Sequence, residues 1–292
     1  MKKLIFIFLF FSFLCLYSSA NDVNIFYESK GKIYDFFANN PNIIPYQIVL
    51  YFKKSKEKFS FIVPASSFSN YLFSYTNDSY QEPVFSVKKI IGDPTKVRVN
   101  EDYPYLLPFE SGESFRVNQA YKTRFTHKGW LKYSIDFGMK IGTPVYAARG
   151  GIVVAVKDTS RIGGRRRRYR GHANYITIAH DDGTFAQYVH LNFAGSKVKV
   201  GDTVKAGDLI GYSGKTGRVT GPHLHFMVYK PVEGGLETVP VKFLARDGEL
   251  VSLENRKLYT AYNPYVEDRE SISNVREQDF DRPTEEDSFG EP

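Results

Sequence analysis

Hydrophobic and polar residues alternate with a period of two over much of the chain, and no long amphipathic helical repeat interrupts them. Tyr46-Gln-Ile-Val-Leu-Tyr-Phe52 and Phe59-Ser-Phe-Ile-Val63 are aromatic and β-branched runs of strand length, separated by polar residues 53–58. Asn77-Asp78 marks a further turn. Later runs have the same character. In 133–137, Tyr133, Ile135 and Phe137 fall on one face, and Ser134 and Asp136, followed by Gly138, on the other. Residues 152–156 and 174–179 read as strands. In 184–191 the alternation predicts Ala186, Tyr188 and His190 on one face, with Val189 and Leu191 on the other. Repeated glycines in 198–211 punctuate short strands with turns. The pattern predicts a mainly β protein.

The two ends depart from this pattern. Lys2 and Lys3 precede an almost continuously apolar run, Leu4 to Leu16, and Ser18-Ser19-Ala20 supplies small residues for cleavage. Residues 1–20 therefore read as a signal peptide, too short in its apolar part for a comfortable membrane span. No second long apolar stretch follows, so the mature chain is expected to have no transmembrane segment and to work in the periplasm or cell envelope, or outside the cell. The only cysteine, Cys15, would leave with the signal, which excludes disulfides and thiolate chemistry from the mature chain. Residues 266–292 carry ten acidic residues against three arginines, a net of −7, and read as a disordered tail. The formal total of +7 falls to +5 without Lys2 and Lys3, so residues 21–265 carry +12. A body this basic suits an acidic partner such as a cell-wall polymer or anionic lipid headgroups. Nucleic acid is not expected, because no binding motif is present and export argues against it. Between these ends the chain divides into a β-rich accessory domain at 21–104, a second domain at 105–245 and an extension at 246–265 that packs on the core. The accessory domain contains no histidine and shows no constellation for chemistry.

The chemistry is concentrated in the second domain. Gly221-Pro-His223-Leu-His225-Phe-Met227-Val places His223, His225 and Met227 on one face of a strand, while Leu224, Phe226 and Val228 face a core. Two imidazoles side by side on a rigid element suggest a zinc site, and Asp136, flanked by small residues, is placed to reach a metal. Only six histidines occur: His127, His172, His180, His190, His223 and His225. His172 and His180 border a loop and an Asp181-Asp182-Gly183 turn, and read as structural or exposed. That loop holds five arginines within Arg165–Arg170, whose mutual repulsion favours an exposed position.

Read together, His127 through Asp136, Gly142-Thr-Pro-Val-Tyr-Ala-Ala-Arg-Gly-Gly151, Tyr188-Val-His190-Leu, and Gly211-Tyr-Ser-Gly-Lys-Thr-Gly217 running to Thr220-Gly-Pro-His-Leu-His225 resemble the lysostaphin-like M23 zinc metallopeptidases. These motifs occur in the family's order across residues 107–231. The resemblance implies a small β-sandwich-like N-terminal domain followed by a twisted antiparallel β-sheet with a zinc groove. It also implies an endopeptidase that hydrolyses peptide crosslinks of bacterial peptidoglycan. One zinc would be held by His127, Asp136 and His225, with His190 and His223 catalytic. On their charge, Arg165, Arg166, Arg167 and Arg168 read either as a contact for anionic wall or as a solvated surface loop. One position departs from the commonest family spacing: Lys132 stands four residues before Asp136, where the first histidine is expected. His127, nine residues before Asp136, must therefore loop back through Gly129, a spacing similar to that of a family branch with a β-rich N-terminal domain. Two alternatives remain at this point. The 198–211 hairpin pattern also resembles lipoyl and biotin carriers, which are cytoplasmic and need no Asp136. A catalytically silent wall-binding activator or scaffold could share the M23 fold.

Overall fold

In the computed structural model, residues 22–78, 82–123, 127–246 and 248–265 are described. The expected signal peptide and the acidic tail lie outside them. The chain is mainly β. It forms two compact units that divide between Ile91 and Gly92.

Among the described residues, the first unit holds six strands in two three-stranded antiparallel sheets. One sheet orders Asn24–Lys30, Ile33–Asn40 and Ser67–Thr76. The other orders Lys58–Val63, Tyr46–Phe52 and Phe85–Ile91. Alternation decides which side chains are enclosed: Tyr34, Phe36 and Ala38 are buried from one strand of the first sheet, Ile48, Leu50 and Phe52 from the second. Phe36 and Phe52 meet edge to face with ring centroids 5.6 Å apart, and Phe73 stacks on Phe36 at 5.1 Å. Such offset and edge-on pairs add to the area they bury. One buried polar side chain, Asn40, donates Nδ2 to the carbonyls of Ile44 and Pro64, which satisfies its donor and ties together two connections that run between the sheets.

The second unit is organised on a nine-stranded antiparallel sheet. Its order runs Thr203–Val204, Gly151–Lys157, Tyr175–Ala179, Phe185–Val189, Leu224–Val232, Ser134–Phe137, Ser114–Gln119 and Leu258–Thr260, with Gly235–Val239 also paired to Leu224–Val232. The last strand brings residues 258–260 onto Ser114–Gln119 through Tyr259 opposite Phe115. A smaller sheet of Pro144–Tyr146, Leu209–Ser213 and Leu191–Ser196 shares its core: Val145, Leu191 and Ile210 cluster with Ile176, Tyr188, Leu224, Phe226 and Val228. Each of these eight residues is at most 1% exposed, so the apolar face of the Leu224–Val232 strand is fixed by burial. Because a slip of one residue would turn that face outward, burial also fixes the register of its opposite face. Among the described residues no helix is long and apolar enough to cross a membrane.

Candidate metal centre

The register places the site. His225 lies directly opposite Asp136 across the Leu224–Val232/Ser134–Phe137 pair, Asp136 opposite Gln119 on the next strand, and Val189 opposite His225 on the other side. Residues opposite one another share a face, so Asp136, Gln119 and His225 project together, away from the buried Leu224 and Phe226. His127 reaches them from outside the sheet. The chain leaves His127 through Lys128 and turns at Gly129, whose φ of +63° is one that residues with a side chain rarely adopt. A short 3₁₀ turn at Gly129–Leu131 then delivers the backbone to Ser134. The imidazole comes back fully buried, and Lys132 stays exposed with its ammonium 5.0 Å from the Tyr133 ring centroid.

The donor atoms of His127, Asp136 and His225 lie within 4.8 Å of one another. Asp136 Oδ1 is 3.2 Å from His127 Nε2, 2.8 Å from His225 Nδ1 and 3.8 Å from His223 Nε2. The other carboxylate oxygen, Oδ2, accepts from Gln119 Nε2 at 2.8 Å. The backbone orients the imidazoles. His127 Nδ1 donates to Ala120 O at 2.9 Å, His190 Nδ1 to Thr216 O at 2.8 Å and His223 Nδ1 to Gly221 O at 2.9 Å. With Nδ1 protonated, each of these rings presents a bare Nε2 lone pair.

Two lone pairs, those of His127 Nε2 and Asp136 Oδ1, thus face each other at hydrogen-bond distance inside the protein. That arrangement repels unless a proton or a cation lies between them. Tetrahedral zinc with ligands at about 2.0–2.1 Å sets ligand atoms about 3.3 Å apart. The donor set of two imidazoles and one carboxylate, with its spacing, fits zinc.

The electrostatics agree. Burial alone would raise the Asp136 carboxyl, but a proton shared with His127 Nε2, the hydrogen bond from His225 and the charge of His225 and His223 outweigh it and hold it well below the usual carboxylate range. Burial would lower His127, and the bond and charge of Asp136 outweigh it and raise it. Burial, with repulsion from His223 and His225, pushes His190 down to about 3, so its imidazole is neutral near neutral pH. His190 and His223 lie with ring centroids 4.7 Å apart, and His190 is 5.9 Å from His225.

One expectation needs correction. Strict alternation would send His190 to the face of Ala186 and Tyr188, both fully buried in the core. The strand instead ends at Val189, and His190 adopts φ +70°. This left-handed turn swings the imidazole out of the core and over His223. The remaining histidines stay apart from the group: His172 is exposed, and His180 is buried with Nδ1 donating to Gly150 O at 2.8 Å. Arg165 to Arg168 are exposed. Sequence reasoning missed Gln119 and the three orienting carbonyls. Gln119 is visible only through its register opposite Asp136, and carbonyls carry no sequence signal.

The sequence model described as peptidase family M23 matches residues 131–240. ShyA, a peptidoglycan DD-endopeptidase of Vibrio cholerae, is 40% identical over 109 residues, which is 36% of this chain and 23% of that protein. Lysostaphin of Staphylococcus staphylolyticus is 44% identical over 99 residues, 34% of this chain and 18% of that protein. Among solved structures, the catalytic domain of the antimicrobial peptidase lysostaphin from Staphylococcus simulans is 32% identical over 43% of this chain and 87% of that domain, with a TM-score of 0.31. The chain spans less than a third of the length of these curated relatives.

Proposed function

The chain belongs to peptidase family M23, and from that premise we propose that it is a zinc-dependent endopeptidase hydrolysing the peptide crosslinks of bacterial peptidoglycan. The observation that carries this reading is the convergence of His127 Nε2, Asp136 Oδ1 and His225 Nδ1 on one another, with the bare Nε2 atoms of His190 and His223 alongside. A silent scaffold has no use for five such groups in one cluster. Relatives named as a peptidoglycan DD-endopeptidase and a glycyl-glycine endopeptidase support peptide crosslinks as the substrate class. The Lys2-Lys3 start and the apolar run after it support export to the cell envelope or beyond.

His127, Asp136 and His225 would hold one zinc per chain. When bound, zinc supplies Lewis acidity, polarising a carbonyl oxygen and making water a nucleophile near neutral pH. The chain's own residues do the rest. Gln119 fixes the Asp136 carboxylate through Oδ2, leaving Oδ1 free to face the two imidazoles. His190, neutral and anchored by the Thr216 carbonyl, can accept a proton at Nε2 or donate it onward. His223, anchored by Gly221, offers its Nε2 on the same side and can stabilise negative charge developing on the scissile carbonyl oxygen when protonated. The exposed arginines at 165–168 suit contact with anionic wall polymer.

Three alanine variants test the division of roles. His225→Ala is expected to lose zinc and activity together. His190→Ala and His223→Ala are expected to keep zinc and the melting temperature while turnover on crosslinked muropeptides falls by roughly 10²–10⁴. A folded, zinc-loaded His190→Ala cleaving at the wild-type rate would remove His190 from the reaction. A wild-type chain that binds wall, carries no metal and releases no peptide would leave the scaffold reading.

A further inference from the structure

Beside His190 lies a feature that the reaction above does not use. A pocket of about 340 Å³ is lined by Ile141, Arg161, Asn192, Phe193, Lys215 and Thr216. It adjoins the proposed proton-transfer group through Thr216, whose carbonyl receives the His190 Nδ1–H. Lys215 follows Gly214, which forms a β-bridge with His223. The lining holds two cations and no acid. Among the described residues, neither Arg161 nor Lys215 forms an ion pair.

Asn174 builds the pocket. Its side chain is fully buried and donates Nδ2 to Ser160 O at 2.9 Å and to Asn192 O at 3.0 Å, while its Oδ1 accepts from Ser160 N at 3.0 Å. Its backbone N–H donates to Thr216 Oγ1 at 2.9 Å, and that hydroxyl donates to Leu191 O at 2.8 Å. One residue therefore cross-ties the three segments that supply Arg161, Asn192-Phe193 and Thr216. The Arg161 guanidinium lies over the Phe193 ring, with Cζ 3.5 Å from the ring centroid. Stacking fixes the guanidinium plane and leaves its N–H edges free. A planar fork of donors held in this way matches a carboxylate, and Lys215 adds a second positive charge.

We propose that this pocket is a specificity subsite for a free carboxylate on the substrate peptide next to the cleaved amide, held by Arg161 and Lys215. The proposal rests on the peptidase reading above and narrows it to crosslinks that carry an unblocked acid at that place.

Two synthetic branched peptides, identical except for a carboxylate or a carboxamide on the residue beside the cleaved amide, test it on the full chain loaded with zinc. Both kcat/KM and the dissociation constant from fluorescence anisotropy are measured. The wild type is expected to favour the acid by roughly 10- to 100-fold. The Arg161→Gln/Lys215→Gln double variant is expected to lose that preference, bringing the acid-to-carboxamide ratio of kcat/KM close to one. Arg161→Lys should recover part of the preference, since it restores charge but not the stacked fork. Glutamine at 165–168 should leave it intact, separating the pocket from the general basic charge of the surface. Equal use of the two peptides by the wild type overturns the proposal, as does a preference that survives in the double variant. Cleavage of neither peptide would count against the peptidase reading. The dissociation constants then decide the subsite on the same criteria.

Discussion

Two aspartates in the second unit have side chains that are little exposed, and the chain treats them differently. Asp182 has a side chain 9% exposed and Asp136 one that is 7% exposed. Asp182 receives an internal cation: Arg149 Nη1 lies 2.8 Å from its Oδ2, with Nη2 2.6 Å from the exposed Asp181. The guanidinium is itself held by the Tyr105 hydroxyl at 3.2 Å and by the Tyr103 ring, 3.9 Å from its centroid. Asp136 has no lysine or arginine within ion-pair distance among the described residues; its neighbours are three imidazoles and an amide. A buried carboxylate needs a counter-charge, because leaving it unpaired in a low-dielectric interior costs several kcal/mol. At Asp182 the sequence provides that charge. At Asp136 it provides nitrogen lone pairs, which is what a site for a cation from outside requires.

The Arg149 side of the comparison gives the largest expected effect on stability. Arg149→Ala leaves Asp182 buried without its partner and is expected to cost about 3–5 kcal/mol in urea unfolding of the full chain. Zinc content should be unchanged, since no metal donor is disturbed. A loss below 1 kcal/mol would mean that Asp182 is supported by its Thr184 hydrogen bonds alone, 3.0 Å from the amide and 2.6 Å from the hydroxyl.

A smaller effect comes from His180, which packs edge-on against Tyr105 with ring centroids 6.0 Å apart. Burial, and to a lesser extent the charge of Arg149, pushes its pKa down to about 4. The folded protein therefore binds this proton more weakly than the unfolded chain does. Its stability contribution is present above the unfolded value of about 6.5 and is lost as pH falls through the folded value. Between pH 7 and pH 5 the loss attributable to His180 is about 2 kcal/mol. His180→Gln should remove that part of the acid sensitivity, read as the difference between the two urea midpoints across the pH range. Parallel curves for variant and wild type would contradict it.

Much of this is legible in the sequence, and the limits have physical causes. Tyr46–Phe52 forms the strand that its aromatic and β-branched run predicts, and the next strand starts one residue before the run, at Lys58. Leu224, Phe226 and Val228 enter the core as their parity requires. Asp136, His223 and His225 are readable because a period of two assigns faces from residue order alone. The same rule misplaces His190, since nothing in its identity announces a left-handed residue after Val189. Pairings that join distant segments are invisible: Gln119 with Asp136, Arg149 with Asp182, and Asn174 with Ser160, Asn192 and Thr216. Each depends on register or loop closure, which residue type does not encode locally.

The central claim is that Asp136 and its imidazoles form a site for a cation that the chain itself does not provide. Elemental analysis of the purified full chain, dialysed against a weak chelator, tests it together with His127→Ala and Lys132→Ala. We expect about one zinc per chain in the wild type and in Lys132→Ala, and little in His127→Ala. A metal-free wild type, or zinc that is lost from Lys132→Ala and retained by His127→Ala, would contradict the account.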